Sequence, residues 1–103
     1  MAERKRMTLE VSVGENGSAE AQLYLNPAAR KQLIEELLKL DRTDDHFHVY
    51  DYDAVGDDFQ LYQTPYRPGQ PVACHFKVML RYDDWDEEHF PQVMTPPKDP
   101  FET

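Results

Sequence analysis

Met7, Leu9, Val11 and Val13 alternate with Thr8, Glu10 and Ser12, the period-2 pattern of a strand with one buried face. Gly14-Glu15-Asn16-Gly17 reads as a turn, because Gly and Asn tolerate positive φ. Ala19, Ala21, Leu23 and Leu25 then resume the alternation, so the two runs are expected to pair as an antiparallel hairpin. Asn26-Pro27 closes the second run and opens a helix. Asn is a favoured N-cap, and Pro suits the first helical position, where its missing N–H costs nothing. Ala29, Leu33, Leu37 and Leu40 fall on one stripe, widened by Ile34 and Leu38, with Arg30, Lys31, Glu35, Glu36 and Lys39 opposite. Glu35 and Lys39 stand at i, i+4 in the favourable order. The helix is expected to lay this stripe on the sheet, with Leu37 at its centre.

Phe47 and Val49, flanked by Tyr50 and Tyr52, suggest a third strand. Asp51 to Asp58 is a turn-rich acidic loop, and Phe59 to Thr64 a short fourth strand. Pro65, Pro68 and Pro71 exclude a central strand between residues 65 and 71, since proline has no ladder donor. From Val72 to Tyr82 the even positions are apolar or aromatic apart from Cys74, which predicts a long last strand with Cys74 inward and His75 outward. The fold class is α+β: an antiparallel sheet of about five strands, in the order β-β-α-β-β-β, with one helix packed on one face. Residues 1–82 are expected to form a single domain. Residues 83–103, with Pro91, Pro96, Pro97 and Pro100, read as an acidic, extended C-terminal tail.

Charge changes this picture. The formal net charge is −9 over 103 residues, and it is unevenly placed. Residues 1–40 balance, and residues 61–82 hold Arg67, Lys77 and Arg81 with no acid. Residues 41–60 hold Asp41, Asp44, Asp45, Asp51, Asp53, Asp57 and Asp58 against Arg42. Residues 83–88 are Asp83, Asp84, Trp85, Asp86, Glu87 and Glu88. Such a surface repels nucleic acid and anionic membrane and attracts basic proteins. Carboxylates beside Tyr52 and Trp85 suit an electrostatically steered interface, in which aromatic anchors hold the partner and charge speeds its arrival. The expected partner-binding residues are Asp44, Asp45, Asp51, Tyr52, Asp53, Asp57, Asp58, Asp83, Asp84, Trp85, Asp86, Glu87 and Glu88. The competing explanation is a solubilising face with an acidic tail.

Catalytic signatures are weak. Cys74 is the only cysteine, which excludes an internal disulfide and suggests a reducing compartment. It precedes His75, but adjacent strand residues point to opposite faces, so the two make no catalytic pair. His46-x-His48 puts two imidazoles on one strand face, about 7 Å apart. Together with His75 they form the alternative reading, a small metal-binding protein or enzyme; a polar sheet face is the ordinary outcome. Asp51-x-Asp53-x-x-Gly56 has Val55 where a calcium loop needs a ligand, and Tyr62 where it needs a bidentate Glu. No cofactor is implied. The first seven residues lack an apolar run after their basic cluster, and no stretch approaches a membrane span. The expectation is a soluble, cytoplasmic, non-enzymatic protein.

A hairpin entering a helix, the stretch Asp44-Asp45-His46-Phe47-His48-Val49 and an alternating last strand together resemble the small immunity proteins of bacterial polymorphic-toxin systems. In layout they are similar to the family called immunity protein 32. The resemblance covers residues 8–82 as a pattern, carries no diagnostic motif, and has no counterpart for the acidic-aromatic segment after Tyr82. It implies a stoichiometric inhibitor of a toxin made by the same cell and transfers no functional residue. The expected function is therefore an acidic binding protein that blocks a basic toxin or a nucleic-acid-acting protein. A phage-encoded inhibitor would share this mechanism with another target. A homo-oligomeric adaptor, pairing through an exposed sheet edge as a homodimer, is the remaining alternative.

Overall fold

A computed structural model describes residues 3–96. Strands β1 (Met7–Val13) and β2 (Ala19–Leu25) form the expected hairpin, with Met7 opposite Leu25 and Val13 opposite Ala19. Gly17, at φ 80°, makes the turn in the left-handed region that glycine adopts freely. The Asn16 side chain accepts hydrogen bonds from the Ser18 amide and hydroxyl. Helix α1 (Pro27–Leu38) starts at an Asn26 N-cap. Asn26 Oδ1 accepts from the Ala29 amide at 2.9 Å and from the Arg6 amide at 3.0 Å. One buried side chain thus caps the helix and ties it to the chain entering β1.

The fold is α+β, but the described residues form no five-stranded sheet. Two separate two-stranded antiparallel sheets form instead, β1 with β2 and β3 (His46–Tyr50) with β4 (His75–Met79). Leu61, in the expected fourth strand, makes only an isolated bridge to Met7, and Val72 an isolated bridge to Glu10. Between them lie the three prolines, which interrupt any continuous ladder. The free edge of β1 is covered by this irregular segment. The Tyr62 amide donates to the Met7 carbonyl, Ala73 to Leu9, and Val11 to the Pro71 carbonyl. Pro71 thereby uses the one ladder group that proline retains. The Leu61 amide donates to the Tyr50 carbonyl at 2.7 Å, which joins the segment to β3.

Met7, Ala29, Val49, Phe59 and Leu61 form the core, with Leu9, Leu25, Leu33, Phe47, Ala73 and Phe76 packed around it. The core lies where the two sheets, the irregular segment and the first turns of α1 meet. It is small, and the molecule is flat and spread out, 53 × 39 × 21 Å. Its radius of gyration is 16.8 Å, against about 13 Å for a compact domain of roughly this length. Hence the helix stripe is only half used. Ala29 is buried and Leu33 partly so, but Ile34, Leu37 and Leu38 are exposed. Leu37, nearly half exposed, is not the centre of the helix contact. The expected Glu35–Lys39 pair is replaced by Lys39 with Glu36 at 3.2 Å, and Gln32 also donates to Glu36.

Two further expectations are corrected. The last strand is five residues rather than eleven; Phe76 and Val78 face inward as the alternation implies, but Cys74 lies outside the ladder and is exposed. The segment after Tyr82 is not an extended tail through its described part. It forms helix α2 (Asp83–His89) and a single 3-10 turn (Pro91–Met94). Asp83, Asp84 and Asp86 lie in the first turn of α2, where carboxylates complement the positive helix end. Pro91 opens the 3-10 turn that follows. The expected tail residues 97–103 lie outside the described residues.

Candidate protein-interaction surface

Strand alternation sorts β3 and β4 into two faces. Phe47, Val49, Phe76 and Val78 point to the core side. His46, His48, Tyr50, His75, Lys77 and Met79 share the outward face, in the register His48 opposite Lys77 and Tyr50 opposite His75. The rings on this face are stacked. His48 and His75 lie 5.0 Å apart between centroids, His75 and Tyr50 4.9 Å, and Tyr50 and Tyr52 5.1 Å, with interplanar angles of 12°, 7° and 20°. His46 meets His48 edge-on. The sequence pattern placed the three histidines together; it did not anticipate that Tyr50 and Tyr52 continue the same face. The signal was available in the even spacing of His46, His48, Tyr50 and Tyr52.

The three histidines do not converge on one point. His48 Nδ1 is 2.8 Å from His75 Nε2, so one ring donates a hydrogen bond to the other. His46 Nδ1 instead meets the Asp45 carboxylate at 2.9 Å. Partial burial holds His48 below its ordinary value of 6.5, reinforced by the charges of His75, Lys77 and His46. The bond to His46 holds the Asp45 carboxyl below the usual carboxylate range. Among the described residues, no group of three or more His, Cys, Asp or Glu side chains is placed to hold a metal ion.

The acidic residues gather at the two ends of β3 rather than in one patch. At one end, Asp44 and Asp45 precede the strand. Helix α2 joins them through Arg42, whose guanidinium forks onto Asp84 at 3.2 and 3.3 Å and stacks on Tyr82 at 3.8 Å. This bond holds the Asp84 carboxyl below its usual value. Arg42, Asp45, Arg81, Tyr82 and Trp85 line a cleft of about 140 Å³. Trp85 is 40% exposed and packs against Arg81, His89 and Phe90. Asp83, Glu87 and Glu88 are exposed, whereas Asp86 is buried, which takes Asp86 out of any contact surface.

At the other end, about 20 Å away by strand rise, the loop of residues 51–58 begins. Asp53 is a structural residue. Its Oδ1 accepts from the Gly56 and Asp57 amides and its Oδ2 from the Asp58 amide. Asp57 Oδ1 accepts from the Phe59 amide, and Asp58 sits at φ 62°. Asp51 and Tyr52 are exposed. Of the thirteen expected contact residues, Asp53 and Asp57 thus hold the chain and Asp86 is buried; Asp84 is exposed but bound by Arg42, and Asp44, Asp51, Tyr52, Asp83, Glu87 and Glu88 are exposed.

No protein-family model, no curated protein and no solved structure matches this chain. Among the described residues, no helix is long and apolar enough to cross a membrane. The functional reading therefore rests on the surface itself.

Proposed function

We propose that this protein is a non-enzymatic binding module for a basic partner, acting as a stoichiometric, immunity-type inhibitor of a toxin or nucleic-acid-acting protein. One observation carries the reading: an exposed face of stacked rings is bracketed at both ends by carboxylates. The rings supply contact area at low entropic cost, and the two acidic ends steer and orient a cationic surface. A partner that covers the face from Asp44 to Tyr52 would have its own basic cleft filled and its access to nucleic acid blocked. The exposed thiol of Cys74 accords with a reducing, cytoplasmic setting.

The test uses the partner captured from the native host. Asp83→Asn, Glu87→Gln and Glu88→Gln together avoid the buried Asp86 and the Arg42-bound Asp84. They are expected to slow association and flatten its dependence on salt, because steering is screened over about 8–10 Å at ordinary ionic strength. Trp85→Ala is expected to speed dissociation by roughly 10-fold or more. Unchanged association rates at low and high salt would remove α2 from the interface.

A further inference from the structure

The ring stack on the outward face has one closed end and one open end. At the closed end His46 caps His48 edge-on. At the other, Tyr52 is the terminal ring: among the described residues its one stacked partner is Tyr50, and Tyr52 is 56% exposed. The backbone around it is held in place. Tyr50 is paired in the sheet with His75, and Asp53 gathers the amides of residues 56–58 immediately afterwards. Asp51, the residue before Tyr52, is exposed as well, and the loop that follows carries Asp53, Asp57 and Asp58. A terminal, exposed aromatic ring in an acidic stretch of chain is suited to a planar cation. Arginine fits both features: its guanidinium stacks on the ring, and its charge is matched by the acidic surroundings. A lysine ammonium satisfies the charge without the stacking. Nucleobases also stack on aromatic rings, but their phosphates would meet Asp51, Asp57 and Asp58, and the chain as a whole is strongly acidic.

We propose that the exposed ring of Tyr52 is a docking site for an arginine side chain of the basic partner. This deepens the reading above and rests on it, because it names the chemistry by which the partner is recognised. The acidic ends attract any basic surface; the open end of the stack selects arginine over lysine.

The experiment compares an arginine hexapeptide, a lysine hexapeptide and a single-stranded oligothymidylate, each titrated into the full chain by calorimetry and by NMR of the tyrosine rings. The arginine peptide is expected to bind roughly 2- to 5-fold more tightly than the lysine peptide and to shift the Tyr52 ring signals. Tyr52→Leu, at an exposed position, is expected to erase that preference while leaving the lysine peptide unaffected. Asp51→Asn is expected to weaken both peptides. The variant with Asp83, Glu87 and Glu88 neutralised is expected to keep the arginine preference. Equal affinity for the two peptides, a preference that survives Tyr52→Leu, or tighter binding of the oligothymidylate would each overturn the proposal. In the first two cases the acidic-module reading still stands, because both peptides bind; binding of neither peptide would sink both.

Discussion

Leu61→Ala is expected to destabilise the protein by about 2–5 kcal/mol, although Leu61 lies in no regular strand. Its side chain is 1% exposed, among the most buried in the molecule. The backbone at this position is the joint between the halves of the fold: its amide bonds to Tyr50, it bridges to Met7, and the next amide bonds to the Met7 carbonyl. Truncation leaves a cavity where the two sheets meet, and a core of five buried apolar residues among those described has little material with which to refill it. Leu37→Ala is the control. The same substitution at a residue 45% exposed is expected to cost about 1 kcal/mol or less. Urea unfolding of both variants measures the contrast; equal losses would mean that α1 packs differently.

Glu10→Gln is expected to produce the other large loss, lowering Tm by on the order of 10 °C. The Glu10 side chain has no exposure, yet it stands in the middle of β1. Its Oε2 accepts from the Tyr66 amide at 2.6 Å and the Arg67 amide at 3.0 Å, and its Oε1 from Arg67 Nε at 2.7 Å. Glutamine would turn an N–H group toward one of these donors and leave the Arg67 charge unmatched. Burial works against ionisation of Glu10, but the Arg67 side chain and the two amides outweigh it and hold the carboxyl below its ordinary value of 4.5. A depressed carboxyl stabilises the fold fully above the unfolded-state value. That stabilisation is lost as pH falls from about 4.5 through the folded-state value. Wild type should therefore lose more stability than Glu10→Gln over this acid range. A variant within about 2 °C of wild type at neutral pH would refute the clamp.

Local signals were legible in the sequence, and partnership was not. The turn at Gly17 and the Asn26 cap depend on residues within a few positions, and both stand as read. Alternation in residues 72–82 reported which side chains point inward, but not which strand lies alongside. The single sheet was an inference about partners, and the prolines at 65, 68 and 71 restricted those partners to isolated bridges. Glu10 occupied a position that alternation assigns to solvent; its burial depends on Arg67, 57 residues away, and no local pattern records that. The acidic run after Tyr82 concealed α2, because acid-rich composition beside prolines is shared by solvated tails and by the first turn of a helix. On the outward face of β3 and β4 the even spacing of His46, His48, Tyr50 and Tyr52 carries which face the rings share, but not that their planes stack, which depends on His75 of the facing strand.

The Glu10 clamp also controls how the chain can be cut. The bond after Tyr66 offers the aromatic residue that chymotrypsin accepts, and Tyr66 is 54% exposed. Its ring, however, lies flat on Tyr24 at 4.1 Å, and the amides on both sides of its α-carbon are held by Glu10. A protease must draw several residues into an extended conformation, so scission here requires the irregular segment around Tyr66, the strap, to lift off β1. When opening and closing are fast relative to cleavage, the rate of nicking at Tyr66 reads the population of the lifted strap without unfolding the rest of the chain. Chymotrypsin fragments ending at Tyr66 should appear faster from Glu10→Gln than from wild type, and equal rates would mean that the strap is held by something other than the carboxylate.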